Sequence, residues 1–212
     1  MRRLAPVIVV LVAAAVLATA AGAAVLGVTS GRIAVFSKTL THGSCTLPGT
    51  AVSDDAYTIE NSADSNQNGT TLSLSPRTSR HQYAWIKFNL AGCALPAGAQ
   101  VDSATLTLQM TASMNGRTIS VSEATGAWAE GTLTWNTQPA VAATPTDTFS
   151  GTGTGTKTVD VGPDVADWVS GVATNYGWRL ADLGASQNVT GTIVSSEGPT
   201  ANRPTLTIAY GS

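Results

Sequence analysis

Ala104-Thr105-Leu106-Thr107-Leu108-Gln109-Met110 alternates apolar and polar residues without a break. A period of two puts every second side chain on the same face of an extended strand, so one face suits a core and the other suits water. The pattern recurs on both sides of this stretch: Thr71-Leu72-Ser73-Leu74, Trp85-Ile86-Lys87-Phe88-Asn89-Leu90, Thr118-Ile119-Ser120-Val121-Ser122, Thr158-Val159-Asp160-Val161, Thr192-Ile193-Val194-Ser195 and Thr205-Leu206-Thr207-Ile208-Ala209-Tyr210. Between these runs stand Asn68-Gly69, Leu95-Pro96-Ala97-Gly98, Asn115-Gly116 and the Gly151–Gly155 stretch, which supply the residues tight turns require. Short half-buried strands joined by turns predict an all-β fold, an antiparallel β-sandwich of jelly-roll type.

One segment departs from the period of two. Pro163-Asp164-Val165-Ala166-Asp167-Trp168-Val169 opens on proline, places an acid in its first turn and closes on Ser170-Gly171. These are helix boundary signals. Val165, Trp168 and Val169 fall on one helical face, which closes an end of the sandwich. A single short helix among many strands excludes a βαβ enzyme, in which helices recur between strands.

The front of the chain is of another kind. Met1-Arg2-Arg3 precedes a stretch from Leu4 to Val28 with no charged residue. That arrangement is an export signal, with Ala21-Gly22-Ala23 as a cleavage site before Ala24. The run is also long enough for an anchor helix held by Arg2 and Arg3 on the inner side, so residues 1–28 read as a signal peptide or a signal anchor. Residues 29–52 lack a sustained period and read as a linker, and 53–212 form the sandwich domain. The expected localisation is extracellular, either secreted or tethered to the outer face of the cytoplasmic membrane, with membrane contact only through the N-terminal segment. Cys45 and Cys93 are the two cysteines, and in an oxidising compartment an even count favours one disulfide.

Loss of residues 1–28 removes Arg2 and Arg3 and leaves nine basic against thirteen acidic residues, a formal charge of −4. Nucleic acid is therefore excluded as a partner, since phosphate binding needs a basic surface. Surface polarity comes from Thr, Ser, Asn and Gln instead. Two sequons, Asn68-Gly69-Thr70 and Asn188-Val189-Thr190, matter in a host that glycosylates them.

Read in order, Asp55-Ala56-Tyr57, Asn66-x-Asn68-Gly69, Trp85 to Leu90, Leu95-Pro96-x-Gly98, Val101-x-Ser103-Ala104-Thr105-Leu106, Trp128-x-Glu130, Thr134-Trp135-Asn136-x-x-Pro139, Val159-Asp160-Val161, Trp168, Asn175-x-Gly177, Ser195-x-Glu197 and Arg203-Pro204-x-Leu206 resemble the DNRLRE domain. That family is similar to carbohydrate-binding module family 96. The resemblance covers about Asp54 to Tyr210 and implies a β-sandwich of secreted and cell-surface bacterial and archaeal proteins. Members often read Tyr-Leu-Lys-Phe-Asp where this chain has Trp85-Ile86-Lys87-Phe88-Asn89.

If Ile86, Phe88 and Leu90 face the core, Tyr83, Trp85 and Lys87 face outward. An exposed indole beside a phenol and an ammonium could stack on the apolar face of a sugar and bond its rim. A loop or sheet lying over Trp85 would remove that platform. Arg77, Arg80 and His81 form a second candidate surface, suited to an acidic polysaccharide or simply to a solvated turn. Trp128, Trp135 and Trp168 read as packing aromatics, and Arg203 as the partner of a carboxylate such as Glu130 or Glu197. Asp54, Asp55, Asp64, Asn66 and Asn68 offer hard oxygen ligands that suit Ca²⁺, although their spacing fails the EF-hand template.

The chain has no G-x-S-x-G elbow, no H-E-x-x-H and no phosphate-binding loop, and its two histidines stand in no nucleophile motif. The expectation is a noncatalytic extracellular module that binds polysaccharide. The other class is a structural or adhesive module that binds protein or itself. An open Trp85 supports the first, and a covered Trp85 favours the second.

Overall fold

The computed structural model describes residues 23–29, 32–38 and 41–212. Most of the predicted signal segment, residues 1–22, lies outside the described residues. Strands β1 (Ala23–Thr29) and β2 (Arg32–Lys38) pair antiparallel, with Ala23 opposite Lys38. They belong to a compact unit separate from residues 42–212. Among the described residues no helix is long and apolar enough to cross a membrane.

The second unit is the expected antiparallel sandwich. Its first sheet contains β3 (His42–Leu47), β5 (Thr71–Leu74), β7 (Gln100–Ala112), β10 (Gly155–Asp160), β12 (Gly191–Val194) and β13 (Thr205–Gly211). The strand order is β3-β13-β7-β12-β5, with β10 also paired to β7. The second sheet runs β4-β6-β11-β8-β9, formed by β4 (Val52–Ile59), β6 (Gln82–Phe88), β8 (Thr118–Glu123), β9 (Asp147–Ser150) and β11 (Trp178–Ala181). The linker reading of residues 29–52 is corrected here, because β2 and β3 fall inside it and β3 joins the sandwich by pairing with β13.

The alternation in β7 does what it predicts. Ala104, Leu106, Leu108 and Met110 are buried, while Thr105, Thr107 and Gln109 between them keep contact with solvent. Facing them across the core are Ala84, Ile86 and Phe88 of β6, Ile119 and Val121 of β8, and Trp178 and Leu180 of β11. Helix α1 (Gly162–Ser170) has Pro163 in its first turn, buries Val165 and Trp168, and ends on Gly171 at φ 78°. A left-handed backbone there is glycine's conformation. Trp168 packs on Trp178 at 4.7 Å, and its Nε1 donates to Glu123 Oε1 at 2.6 Å, which fastens the helix to the second sheet.

Cys45 and Cys93 form the disulfide, with Cα atoms 5.6 Å apart across a separation of 48 residues. It ties β3 to the 3-10 turn Leu90–Cys93 that follows β6.

Candidate functional site

The outer face of the second sheet has two regions of different character. Tyr83, Trp85 and Lys87 do leave β6 on the face opposite Ile86 and Phe88. Residues 124–146, which connect β8 to β9 with no strand of their own, fold back over part of that face. Ala124, Trp128 and Leu133 from this segment enclose Trp85 and Ala56 in a second, smaller core.

Trp85 is consequently 0 % exposed. Its ring meets Trp128 edge-on at 5.9 Å, and its Nε1 donates to Thr58 Oγ1 at 3.4 Å. The stacking platform predicted at Trp85 is thus corrected: the strand period gives the face, but a long connection covers it. Lys87 is corrected with it. Only 19 % of its side chain is exposed, and its Nζ lies 2.7 Å from Asp54 Oδ2. The same Nζ donates to the Trp128 carbonyl at 3.3 Å and sits 5.2 Å from that indole's ring centre. Lys87 clasps the covering segment onto the sheet.

Tyr83 sits in the second region, at the edge of this small core, and is half-buried. Its ring lies 5.0 Å from that of Trp135, which the sequence suggested was a packing residue but which keeps part of its surface open. His81 joins them, stacked on Trp135 at 6.3 Å with an interplanar angle of 22°. Glu60 Oε2 holds His81 from two sides, at 3.1 Å from its backbone N–H and 2.7 Å from Nδ1, and these bonds hold the Glu60 carboxyl below its ordinary range. The Arg179 guanidinium from β11 lies 4.8 Å from the Tyr83 ring centre. Burial lowers the Arg179 pKa, its Nε has no hydrogen-bond partner, and no ion pair among the described residues includes it. Burial also raises the Tyr83 phenol above its usual range, so it stays a neutral donor and acceptor.

Two partly open aromatic rings, with Arg179 over the Tyr83 ring and His81 stacked on Trp135, make a surface suited to a ring-shaped, hydroxyl-bearing ligand. Sequence reasoning missed Arg179. Its place follows from the ladder, in which Arg179 pairs with Trp85 and so shares the outer face, and four-residue β11 carries no period long enough to show this in the sequence. Arg77 and Arg80 stand exposed on the loop leading to His81, where the Arg80 N–H donates to the Arg77 carbonyl at 2.9 Å.

The residues expected to offer oxygen ligands are split up. Asp54 pairs with Lys87, and Asp64 accepts from Asn136 Nδ2 at 2.7 Å. Asn66 donates to the carbonyls of Glu130 and Leu133, and Asn68 Nδ2 donates to Glu130 Oε1 at 3.0 Å. Only Asp55 reaches an acidic cluster, with Glu130 and Glu197, whose ligand atoms lie within 4.8 Å of one another and could surround a cation. Asp55 is fully buried, and its carboxyl is pushed up to about 7, chiefly by loss of water and further by Glu197 and Glu130. Burial alone would raise Glu197 as well, but hydrogen bonds from Ser196, Ser195 and Asp55 outweigh it and hold that carboxyl low. The pairing of Arg203 with Glu130 or Glu197 is not formed: its Nε donates to the Gly198 carbonyl at 2.9 Å.

The profile of carbohydrate-binding module family 96 matches residues 49–210, a span that includes both sheets except β3 and all of the aromatic patch. No curated protein matches the chain. The order of motifs, the two-sheet architecture and a match over most of the chain lead to one assignment: the chain belongs to carbohydrate-binding module family 96.

Proposed function

We propose that this protein is a noncatalytic, exported module that binds a polysaccharide chain across Tyr83 and Trp135. The observation that carries the reading is the half-open pair of rings 5.0 Å apart, with Arg179 beside it. Sugar rings present apolar C–H faces that suit aromatic rings, and their hydroxyls or acid groups suit the donors of Arg179 and His81, which pack against those rings. Export is supported by the charge-free stretch after Arg2 and Arg3 and by the disulfide.

A covered Trp85 speaks for a structural or adhesive module, and by that criterion the second reading gains. Membership of a carbohydrate-binding family and the separate Tyr83–Trp135 surface outweigh it. Titration of the purified protein against a panel of neutral and acidic polysaccharides tests the choice. A saturable response to one class, lost on the order of tenfold or more in Trp135→Ala at unchanged melting temperature, is the expected result. Silence across the panel from folded protein, or full affinity in Trp135→Ala, would sink it.

A further inference from the structure

Asn68 and Gly69 combine three properties. Asn68 is exposed, and its Nδ2 donates to Glu130 Oε1 at 3.0 Å. Gly69 has open space around it, with nothing within 4 Å of where a Cβ would stand, and its backbone is not left-handed. Glu130 opens the 3-10 turn Glu130–Thr132, and the next turn of chain carries Trp135.

An asparagine followed by glycine can react with its own backbone. The Gly69 nitrogen attacks Asn68 Cγ, the C–N bond to Nδ2 breaks and ammonia leaves, closing a five-membered succinimide. Water then opens that ring to aspartate or isoaspartate. A side chain on the following residue obstructs the attack, and Gly69 has none. The product carries a carboxylate where an amide donated. The bond to Glu130 is lost, and a negative charge faces Glu130, itself grouped with Asp55 and Glu197. Like charges this close repel, and a bond to a charged group is among the stronger ones to lose.

We propose that Asn68–Gly69 is a spontaneous deamidation site whose product loosens the segment carrying Trp135, and so acts as a chemical clock on ligand binding. The loosening stands on geometry alone, whereas the effect on binding rests on the reading of Tyr83 and Trp135 as the glycan surface.

The test ages the full protein in warm, mildly alkaline buffer containing a divalent chelator. Peptide mass spectrometry then follows Asn68, with hydrogen exchange over residues 130–138 as a readout independent of any glycan. Asn115–Gly116, whose contacts are with Ser113 and Thr152, is the internal reference for reactivity. The expected result is acid at Asn68 with faster exchange over 130–138 in step, both abolished in Gly69→Ala, which the open space accommodates. Asn68→Asp should show the faster exchange over 130–138 without ageing, and should bind polysaccharide more weakly than the parent protein. An amide that persists at Asn68 while Asn115 converts overturns the proposal. So does a deamidated protein whose 130–138 segment exchanges at the original rate. Faster exchange with no change in binding leaves the modification standing and removes the Tyr83–Trp135 surface as the glycan site.

Discussion

Asp55 is fully buried, and Glu130 and Glu197 stand beside it. Its carboxyl sits at about 7 in the folded chain against 3.8 ordinarily, so between those values the folded protein holds a proton that the unfolded chain releases. Stability then falls as pH rises through that window, because the native state is the one binding more protons. Denaturant midpoints should decline from pH 5 to pH 8, by a few kcal/mol in free energy, and Asp55→Asn should flatten the curve. An unchanged slope in Asp55→Asn would place the titration elsewhere. Trp85→Ala, by contrast, should cost about 3–5 kcal/mol of stability, as removal of a fully buried indole does. Differential scanning calorimetry distinguishes this from the surface role its strand position suggested, which would leave the melting temperature almost untouched.

At the scale of elements, β7, β8 and β13 were legible because strict alternation over a half-buried sheet leaves little else for the sequence to be. The helix was legible from Pro163, Asp164 and Gly171. Strand β4 was not, since Asp54 and Asp55 put carboxylates on both of its faces, one clasped by Lys87 and one buried. The four-residue strands β9 and β11 are too short for a period to stand out. For the site, the outward set Tyr83, Trp85 and Lys87 followed from the period, but which member stays open depends on where residues 124–146 come to rest. That is a tertiary outcome, decided by Trp128 packing on Trp85 and by the Lys87 clasp. Lys87→Met should release the clasp and leave Asp54 without its cation at a cost of about 2–3 kcal/mol. Hydrogen exchange should then quicken over residues 124–138 while the first sheet stays protected. Uniform quickening would mean that the covering segment is not a separate unit of stability.

For the whole molecule, the two sheets share a core to which every strand from β3 to β13 except β4 gives a buried side chain, and the disulfide closes a loop of 48 residues on its rim. Reduction should lower stability by about 4 kcal/mol in the chain-entropy model, readable as a shift in the denaturant midpoint. A midpoint that does not move would mean that the reduced unfolded chain retains the proximity the bond enforces. The placement of that bond has a mechanical consequence. His42 lies opposite Gly211 in the β3–β13 ladder, so a pull across those two residues would open the pair one rung at a time, like a zip. Cys45 stands opposite Ile208, only three rungs in, and is covalently fixed to Cys93. The tear would stop at sulfur, and further load would pass into the body of the sandwich rather than along β3.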